Sequence, residues 1–217
     1  MSGCPWRLIT VDIDGTLTLV HGWLRIAERF GREAEYRDSN KRFQSEEVGE
    51  DAHLAALLAL ARGHTIAEIE SVLEETPHLD GIREGIDDLH HEGAKVALLT
   101  HNPPYVARWY VQKFGFDDLD GTTVPGPVAG GPIPAPGLVH ADKPGGLQRL
   151  TGRLRVSPRD TVHVGDGWSD AELFPLVGGG VALNSPYPAV DRAADLVLHL
   201  RDFREVARAI IGLSRRR

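Results

Sequence analysis

The segment LITVDIDGTLT, residues 8–18, begins like a buried strand and ends in two aspartates. Asp12 and Asp14 are two residues apart, so an extended chain places both side chains on the same side. Two carboxylates held this close repel each other unless a cation lies between them. We therefore expect this strand to end at a cation site and the remaining ligands to follow other strands.

Apolar runs predict the strands of a buried parallel sheet at 8–13, 95–100, 161–164 and 180–183, with a weaker strand at 195–198. Helical patterns lie between them, over 82–92, 104–114, 145–150 and 169–177. This alternation predicts an α/β fold, a Rossmann-like parallel sheet with helices on both faces. Ligands of such sheets bind beyond the carboxyl ends of the strands.

The stretch between the first two strands departs from this alternation. Residues 23–75 are almost wholly helical in pattern, with a helix over 51–62 and a capping box, Thr65 to Glu68, that starts the next helix. We expect an inserted, all-helical cap domain (17–81) over an α/β core domain (1–16 and 82–217). The alternative is a peripheral helical packing unit.

Residues 121–146 are rich in glycine and proline. This composition is typical of turns, a short hairpin or a loop. Lys143 then begins a helix after the loop.

Polar residues follow the other predicted strands as well. Besides Asp12 and Asp14 they are Thr16, Thr100, His101, Lys143, Asp166 and Asp170. They suit the chemistry of a phosphate monoester, because oxygen ligands from Asp12, Asp166 and a backbone carbonyl fit Mg²⁺. Asp12 can attack phosphorus, and Asp14 can protonate the leaving alkoxide and later deprotonate water. Thr100 and Lys143 would bind the phosphoryl oxygens.

Four segments together resemble the ordered motifs of the haloacid dehalogenase-like phosphatases: DIDGT at 12–16, Thr100, Lys143, and GDGWSD at 165–170. The helical block resembles the small cap of the phosphoserine-phosphatase-like branch, and the resemblance covers about residues 7–205. It implies that Asp12 is the nucleophile and Asp14 the acid–base residue, with the backbone carbonyl of Asp14 and the carboxylate of Asp166 on Mg²⁺. By the same resemblance Thr16 supports the site from outside the metal shell, and Asp170 either binds the metal through water or orients Lys143.

The chain departs from phosphoserine phosphatases where those enzymes bind serine. His21 stands where they carry a glutamate for the amino group, and the cap helix has alanine and leucine where an arginine holds the carboxylate, with Arg62 displaced toward the helix end. His101 and Asn102 replace two glycines, and Ser169 stands where asparagine is common.

The roles of four residues in substrate recognition are left open. His21 and Trp23 either contact the leaving group or pack at the hinge of the cap. His101 either contacts the substrate phosphate or sets the start of a helix together with two prolines. Trp168 either lines the pocket, with Ser169 beside it, or covers the metal loop.

These patterns predict a Mg²⁺-dependent phosphatase that hydrolyses a small phosphomonoester through an aspartyl-phosphate, with phosphoserine a poor substrate. The alternatives are a phosphoserine phosphatase and a phosphotransferase to an alcohol acceptor. A non-catalytic phosphate-binding protein is disfavoured, because only turnover needs both Asp12 and Asp14.

We expect a small phosphorylated metabolite as the partner, and the composition argues against nucleic acid and membrane. A formal net charge of −7 argues against a nucleic-acid binder. The longest apolar run, 54–61, is far shorter than the ~20 residues of a membrane span. One cysteine excludes an internal disulfide, and the N-terminus lacks a signal pattern, so we expect a cytoplasmic location. The oligomeric state stays open.

Overall fold

The computed structural model describes residues 4–214 and is built around a six-stranded parallel sheet. The strand order is β3-β2-β1-β4-β5-β6. The strands are β1 (Leu8–Val11), β2 (Lys95–Leu99), β3 (Asp118–Asp120), β4 (Thr161–Gly165), β5 (Gly179–Leu183) and β6 (Leu196–Leu198). The predicted parallel α/β fold is confirmed.

Helices fill the connections between these strands. They are α1 (Gly22–Arg29), α2 (Glu33–Gln44), α3 (Glu50–Ala59), α4 (Ile66–Glu75), α5 (Ile82–His91), α6 (Pro104–Phe114), α7 (Lys143–Leu154), α8 (Trp168–Ala171), α9 (Pro188–Ala193) and α10 (Phe203–Gly212). Within the described part of the chain, none of them is long and apolar enough to cross a bilayer.

The two faces of the sheet bury alternate residues of β1. Ile9 and Val11 belong to a cluster that includes apolar side chains of α5, α6 and α10. Leu8 belongs to a separate cluster with Leu147 and Leu150 of α7. Each fully buried aliphatic side chain contributes roughly 1.5–3 kcal/mol. The alternation therefore fixes helices on both faces and sets the register of β1.

The strand order places the ends of β1 and β4 side by side at the centre of the sheet. From β1 the chain moves outward through β2 to β3, and it then returns to β4 and moves outward on the other side. In doubly wound sheets the crevice beyond the carboxyl ends of such a strand pair is where ligands bind. The residues after β1 and β4 therefore share one crevice.

Four helices, α1 to α4, lie between β1 and α5, as the pattern predicts. The capping box is present: Thr65 Oγ1 accepts from the Glu68 N–H, and a Glu68 carboxylate oxygen accepts from the Thr65 N–H. The division into a cap (17–81) and a core (1–16 and 82–217) stays a prediction, and residues 1–3 and 215–217 lie outside the described residues.

Two local predictions are wrong. The helix expected at 169–177 ends at Ala171 and is followed by a 3₁₀ turn, Phe174–Leu176, because Pro175 lacks the N–H that an α-helix needs. Strand β3 was not predicted, since two of its three residues are aspartates.

Residues 121–142 contain neither helix nor strand, so the predicted loop is confirmed without a hairpin, and α7 begins at Lys143. The loop is bonded to the α1–α4 unit. The N–H of Gly63 donates to the Ile133 carbonyl (2.9 Å), and the N–H of Ile133 donates to the His64 carbonyl (2.7 Å). Farther along, the N–H of Ala141 donates to Oδ1 of Asp51 (2.8 Å). The loop therefore connects the helical unit to the edge of the crevice.

Candidate active site

Asp12 and Asp166 lie next to each other beyond the ends of β1 and β4. The N–H of Asp12 donates to the Val164 carbonyl (3.0 Å), which holds Asp12 in register with β4. Three residues after Asp12 the chain turns at Gly15, whose φ is +79° and which packs against the Asp166 side chain. A Cβ there would lie 2.3 Å from Oδ2 of Asp166, so only glycine allows this approach.

Three carboxylates form a compact acidic cluster. Oxygen atoms of Asp12, Asp166 and Asp170 lie within 4.8 Å of one another. Burial and the charges of Asp170 and Asp12 raise the pKa of Asp166 to about 8. Burial likewise raises the pKa of Asp12 to about 6, although Lys143 opposes the shift. A divalent cation between Asp12 and Asp166 would relieve this repulsion, so the donor set fits a hard metal ion.

Asp170 is already saturated with hydrogen bonds. Its Oδ1 accepts from Lys143 Nζ (2.5 Å) and from His163 Nε2 (2.9 Å), and its Oδ2 accepts from the N–H groups of Asp166 (3.1 Å) and Gly167 (2.9 Å). Few lone-pair positions remain for a metal. The contacts of Asp170 therefore favour the alternative in which it orients Lys143.

Lys143 is buried as the first residue of α7, and its Nζ lies 3.2 Å from Oδ1 of Asp12. Burial disfavours the charged form, but Asp12 and Asp170 more than offset it, so the pKa of Lys143 is raised. The side chain is a fixed cation beside the carboxylate expected to attack phosphorus.

His163 is a buried member of the site that the sequence did not reveal. Because ionised Asp170 only accepts, His163 Nε2 carries the proton, and Nδ1 accepts from Thr10 Oγ1 (2.9 Å). Thr10 and His163 are partners across β1 and β4. A lone histidine in a valine-rich strand three residues before Asp166 is the signal that could have indicated it.

Asp14 is held by two donors, one on each carboxylate oxygen. The N–H of Gly22, the first residue of α1, donates to Oδ1 (2.6 Å), and Nδ2 of Asn102 donates to Oδ2 (2.8 Å). His21 lies close by, with Nδ1 3.7 Å from Oδ1 of Asp14. This Nδ1 is buried and has no hydrogen-bond partner among the described residues.

Thr100 and Trp23 both contact Asn102, which is not among the site residues predicted from the sequence. Oγ1 of Thr100 accepts from the backbone N–H (3.2 Å) and the side-chain Nδ2 (3.1 Å) of Asn102. The Trp23 ring is buried, and its Nε1 donates to Oδ1 of Asn102 (2.9 Å). These contacts favour the packing alternative for Trp23.

Two hydroxyls support Asp166 from opposite sides. Thr16 Oγ1 donates to its Oδ1 (3.0 Å), and Ser185 Oγ donates to its backbone carbonyl (2.6 Å). Thr16 therefore contacts the predicted metal ligand Asp166 directly, while Ser185 comes from the loop after β5 and carries no sequence signal.

The remaining predicted residues lie around the mouth of the crevice. Nδ1 of His101 lies 3.5 Å from Oε1 of Glu50 at the start of α3. Burial lowers the pKa of His101 to about 3, so the ring is neutral. Trp168 is 54% exposed, with its ring centroid 5.5 Å from that of Tyr187. Ser169 lies half-buried beside it in the same helix.

A cavity of about 350 Å³ is lined by Thr100, His101 and Lys143 together with residues of the 121–142 loop. Asp12, Asp14 and Asp166 are not among its lining residues. The phosphate-binding candidates therefore border open volume, while the acidic cluster lies outside this cavity.

Comparisons with known proteins agree with this geometry. The family profile of the haloacid dehalogenase-like hydrolases matches residues 6–178. The chain is 24% identical over 206 residues to the phosphoserine phosphatase of Methanocaldococcus jannaschii, covering 94% of this chain and 97% of that protein. It is 26% identical over 207 residues to the phosphoserine phosphatase of Idiomarina loihiensis, covering 92% and 91%.

Solved structures share the fold. A HAD family hydrolase of Salmonella enterica serovar Typhi superposes with a TM-score of 0.83 at 16% identity, covering 95% of this chain and 72% of that one. A substrate-bound phosphoserine phosphatase gives a TM-score of 0.77 at 23% identity, covering 94% and 98%.

Proposed function

The chain belongs to the haloacid dehalogenase-like hydrolases and is a phosphatase, and from this membership we propose that it hydrolyses a small phosphomonoester through an aspartyl-phosphate on Asp12, with Mg²⁺ as cofactor. The observation that carries the proposal is the position of Asp12, next to the fixed cation of Lys143 and to the carboxylate of Asp166. A nucleophilic carboxylate can approach a phosphate dianion only where cations offset the repulsion, and Lys143 with a metal ion on Asp12 and Asp166 would supply that positive charge.

The metal would be held by Asp12 and Asp166, with the backbone carbonyl of Asp14 as the third protein ligand that the family resemblance implies. Asp170 is left to hold Lys143, since its oxygens already accept four hydrogen bonds. When bound, the cation neutralises phosphate charge and leaves room for water and substrate oxygens in its shell.

In the first step the Asp12 carboxylate forms a bond to phosphorus while the bond to the leaving oxygen breaks. Asp14 gives that oxygen a proton, and Lys143 and Thr100 bind the phosphoryl oxygens. In the second step water attacks the same phosphorus, Asp14 takes its proton, and the bond to Asp12 breaks. Inorganic phosphate and free Asp12 result.

The two candidate substrate classes have different support. The similar proteins named above are phosphoserine phosphatases, which favours phosphoserine. The contacts of this chain favour an ester without an amino-acid head. Four of the six arginines of the α1–α4 unit are paired with glutamates of the same unit, in the pairs Arg25–Glu28, Arg29–Glu75, Arg32–Glu35 and Arg42–Glu47, and a fifth, Arg37, is exposed on α2. Arg62 is exposed.

We infer that the leaving group carries hydroxyls rather than an ammonium and a carboxylate. Neutral His101 and the carboxylate of Glu50 can exchange hydrogen bonds with hydroxyl groups. Neither is a guanidinium that would compensate the desolvation of a serine carboxylate. A sugar or polyol phosphate therefore fits these residues better.

A panel of phosphomonoesters assayed with Mg²⁺ tests the proposal. We expect release of inorganic phosphate, with sugar or polyol phosphates ahead of L-phosphoserine. Addition of an acceptor alcohol separates hydrolysis from phosphotransfer, because only phosphotransfer forms a new phosphate ester. Absence of phosphate release across the whole panel would contradict the proposed reaction.

A further inference from the structure

The side-chain amide of Asn102 has one orientation that satisfies its neighbours. Trp23 Nε1 is only a donor, so the atom 2.9 Å from it is the amide oxygen. The NH₂ group then lies 2.8 Å from Oδ2 of Asp14 and 3.1 Å from Oγ1 of Thr100. Asn102 is 4% exposed and Trp23 is 2% exposed, so little water reaches these bonds.

The reversed amide would be unfavourable at both ends. Its oxygen would face the Asp14 carboxylate, and its NH₂ would face the indole N–H. Leaving buried donors and acceptors without partners is unfavourable for each such group. Trp23 therefore selects the orientation in which Asn102 donates to Asp14.

Helix α1 thus contributes to the hydrogen bonds of both carboxylate oxygens of Asp14. The N–H of Gly22 donates directly to Oδ1, and the next residue, Trp23, acts on Oδ2 through Asn102. An acid–base group must stay within hydrogen-bond reach of the leaving oxygen, and small displacements reduce its contribution. The two contacts restrict the carboxylate to one position.

We propose that Asn102 is a positioning residue for Asp14, and that Trp23 acts with it by fixing the orientation of the amide. The inference rests on the acid–base role that the proposed function gives to Asp14. It makes Asn102 part of the proton-transfer machinery, although Asn102 bonds to Thr100 as well.

The test compares leaving groups in three variants. Asn102→Asp keeps an acceptor for Trp23 but replaces the donor to Asp14 with a second carboxylate oxygen. Trp23→Phe keeps Asn102 but removes the N–H that orients it. Trp6→Phe is the matched control, because Trp6 is also buried and its Nε1 donates to the Leu213 carbonyl (3.1 Å) in another part of the fold.

Each variant is assayed with glycerol 2-phosphate, whose alkoxide needs a proton, and with p-nitrophenyl phosphate, whose nitrophenolate needs little. For Asn102→Asp we expect kcat to fall about 30-fold or more with glycerol 2-phosphate and about threefold or less with the nitrophenyl ester, since acid–base catalysis contributes roughly 10²–10⁴-fold. Trp23→Phe should likewise lower kcat more with glycerol 2-phosphate than with p-nitrophenyl phosphate, but by a smaller factor than Asn102→Asp. Trp6→Phe should leave the ratio of the two rates unchanged.

Equal losses on both esters in Asn102→Asp would overturn the inference, because they would place the effect on phosphate binding through Thr100. If Asn102→Asp does not fold, as judged by circular dichroism, the ratio of the rates on the two esters is measured in Asn102→Ala and tests the inference in its place. If the wild type does not hydrolyse glycerol 2-phosphate, the best alkyl phosphate of the panel takes its place, and absence of phosphate release across the whole panel would instead overturn the proposed function.

Discussion

Nζ of Lys143 lies 3.2 Å from Oδ1 of Asp12, and both side chains are buried. One residue begins α7 and the other follows β1, so the pair joins two layers of the fold at the crevice. Removing one partner of a buried ion pair typically costs about 3–5 kcal/mol, since the other charge is left uncompensated. Asp170 also pairs with Lys143, so Asp12→Asn leaves that cation compensated and tests the carboxylate itself.

Asp12→Asn should reduce turnover to near background, because an amide does not attack phosphorus. The phosphorylated enzyme trapped by acid quench from the wild type should be absent in the variant. Asp38→Asn, on the exposed side of α2, should behave like wild type. Full activity of Asp12→Asn would exclude the covalent mechanism.

Removal of divalent metal should abolish phosphate release. Chelation with EDTA followed by addition of Mg²⁺ should restore the rate, whereas Ca²⁺ should restore little, because its larger and looser shell misplaces the phosphate relative to Asp12. The measurement is phosphate release against free metal concentration. Activity that persists after exhaustive chelation would contradict the metal assignment.

Gly15→Ala should abolish activity and destabilise the fold. The substitution forces a Cβ into left-handed backbone and to 2.3 Å from Asp166 Oδ2. Gly31→Ala is the matched control, since Gly31 has a similar φ of +67° but no described atom within 4 Å of the added Cβ. We expect roughly 1–2 kcal/mol of destabilisation and full activity for Gly31→Ala. Chemical denaturation and phosphate release measure both effects, and equal behaviour of the two variants would refute the steric explanation.

His101 should make the fold less stable in acid. Burial, with Lys143 nearby, lowers its pKa from 6.5 to about 3, so the unfolded chain binds a proton below pH 6.5 that the folded protein does not. The folded state therefore has its full stability with respect to His101 above pH 6.5. The free energy of unfolding falls as the pH is lowered toward 3, by up to about 1.4 kcal/mol per pH unit. Urea titrations between pH 4 and 7 should show a shallower loss for His101→Gln than for wild type. Parallel curves would show that His101 does not titrate as its burial indicates.

Glu50→Ala should affect the leaving group more than the phosphate. If Glu50 and His101 bind hydroxyls, kcat/KM for the best sugar or polyol phosphate should fall about tenfold, by the loss of a hydrogen bond to a charged group. The rate with p-nitrophenyl phosphate should stay within about twofold of wild type. A wild-type preference for phosphoserine, reduced by the same substitution, would instead assign Glu50 to the serine ammonium.

The parts of the site that could be predicted are polar residues that interrupt apolar strands at their ends. Asp12 and Asp166 are conspicuous there, because each follows an otherwise apolar run. His163 lies inside its strand rather than at the end, so its only signal is a single histidine among valines. The contact of Asn102 with Trp23 joins residues far apart in sequence, so the sequence does not indicate the position of its side chain.

Strand β3 shows that the fold, too, is only partly predictable from local sequence. Its aspartates predict a loop, yet Asp118 pairs with Arg153, and Asp120 pairs with Arg149 and Arg153 of α7. Local composition carries no information about partners that tertiary packing supplies.

The ties between the 121–142 loop and the α1–α4 unit have an evolutionary consequence. Two of them, Gly63 to Ile133 and Ile133 to His64, join main chain to main chain. Because every residue except proline offers the same N–H and carbonyl, these bonds persist whatever side chains the loop carries. Side chains of the loop that line the cavity can therefore vary while the loop stays attached to the helical unit, so variation of the cavity wall is separated from the attachment of the loop.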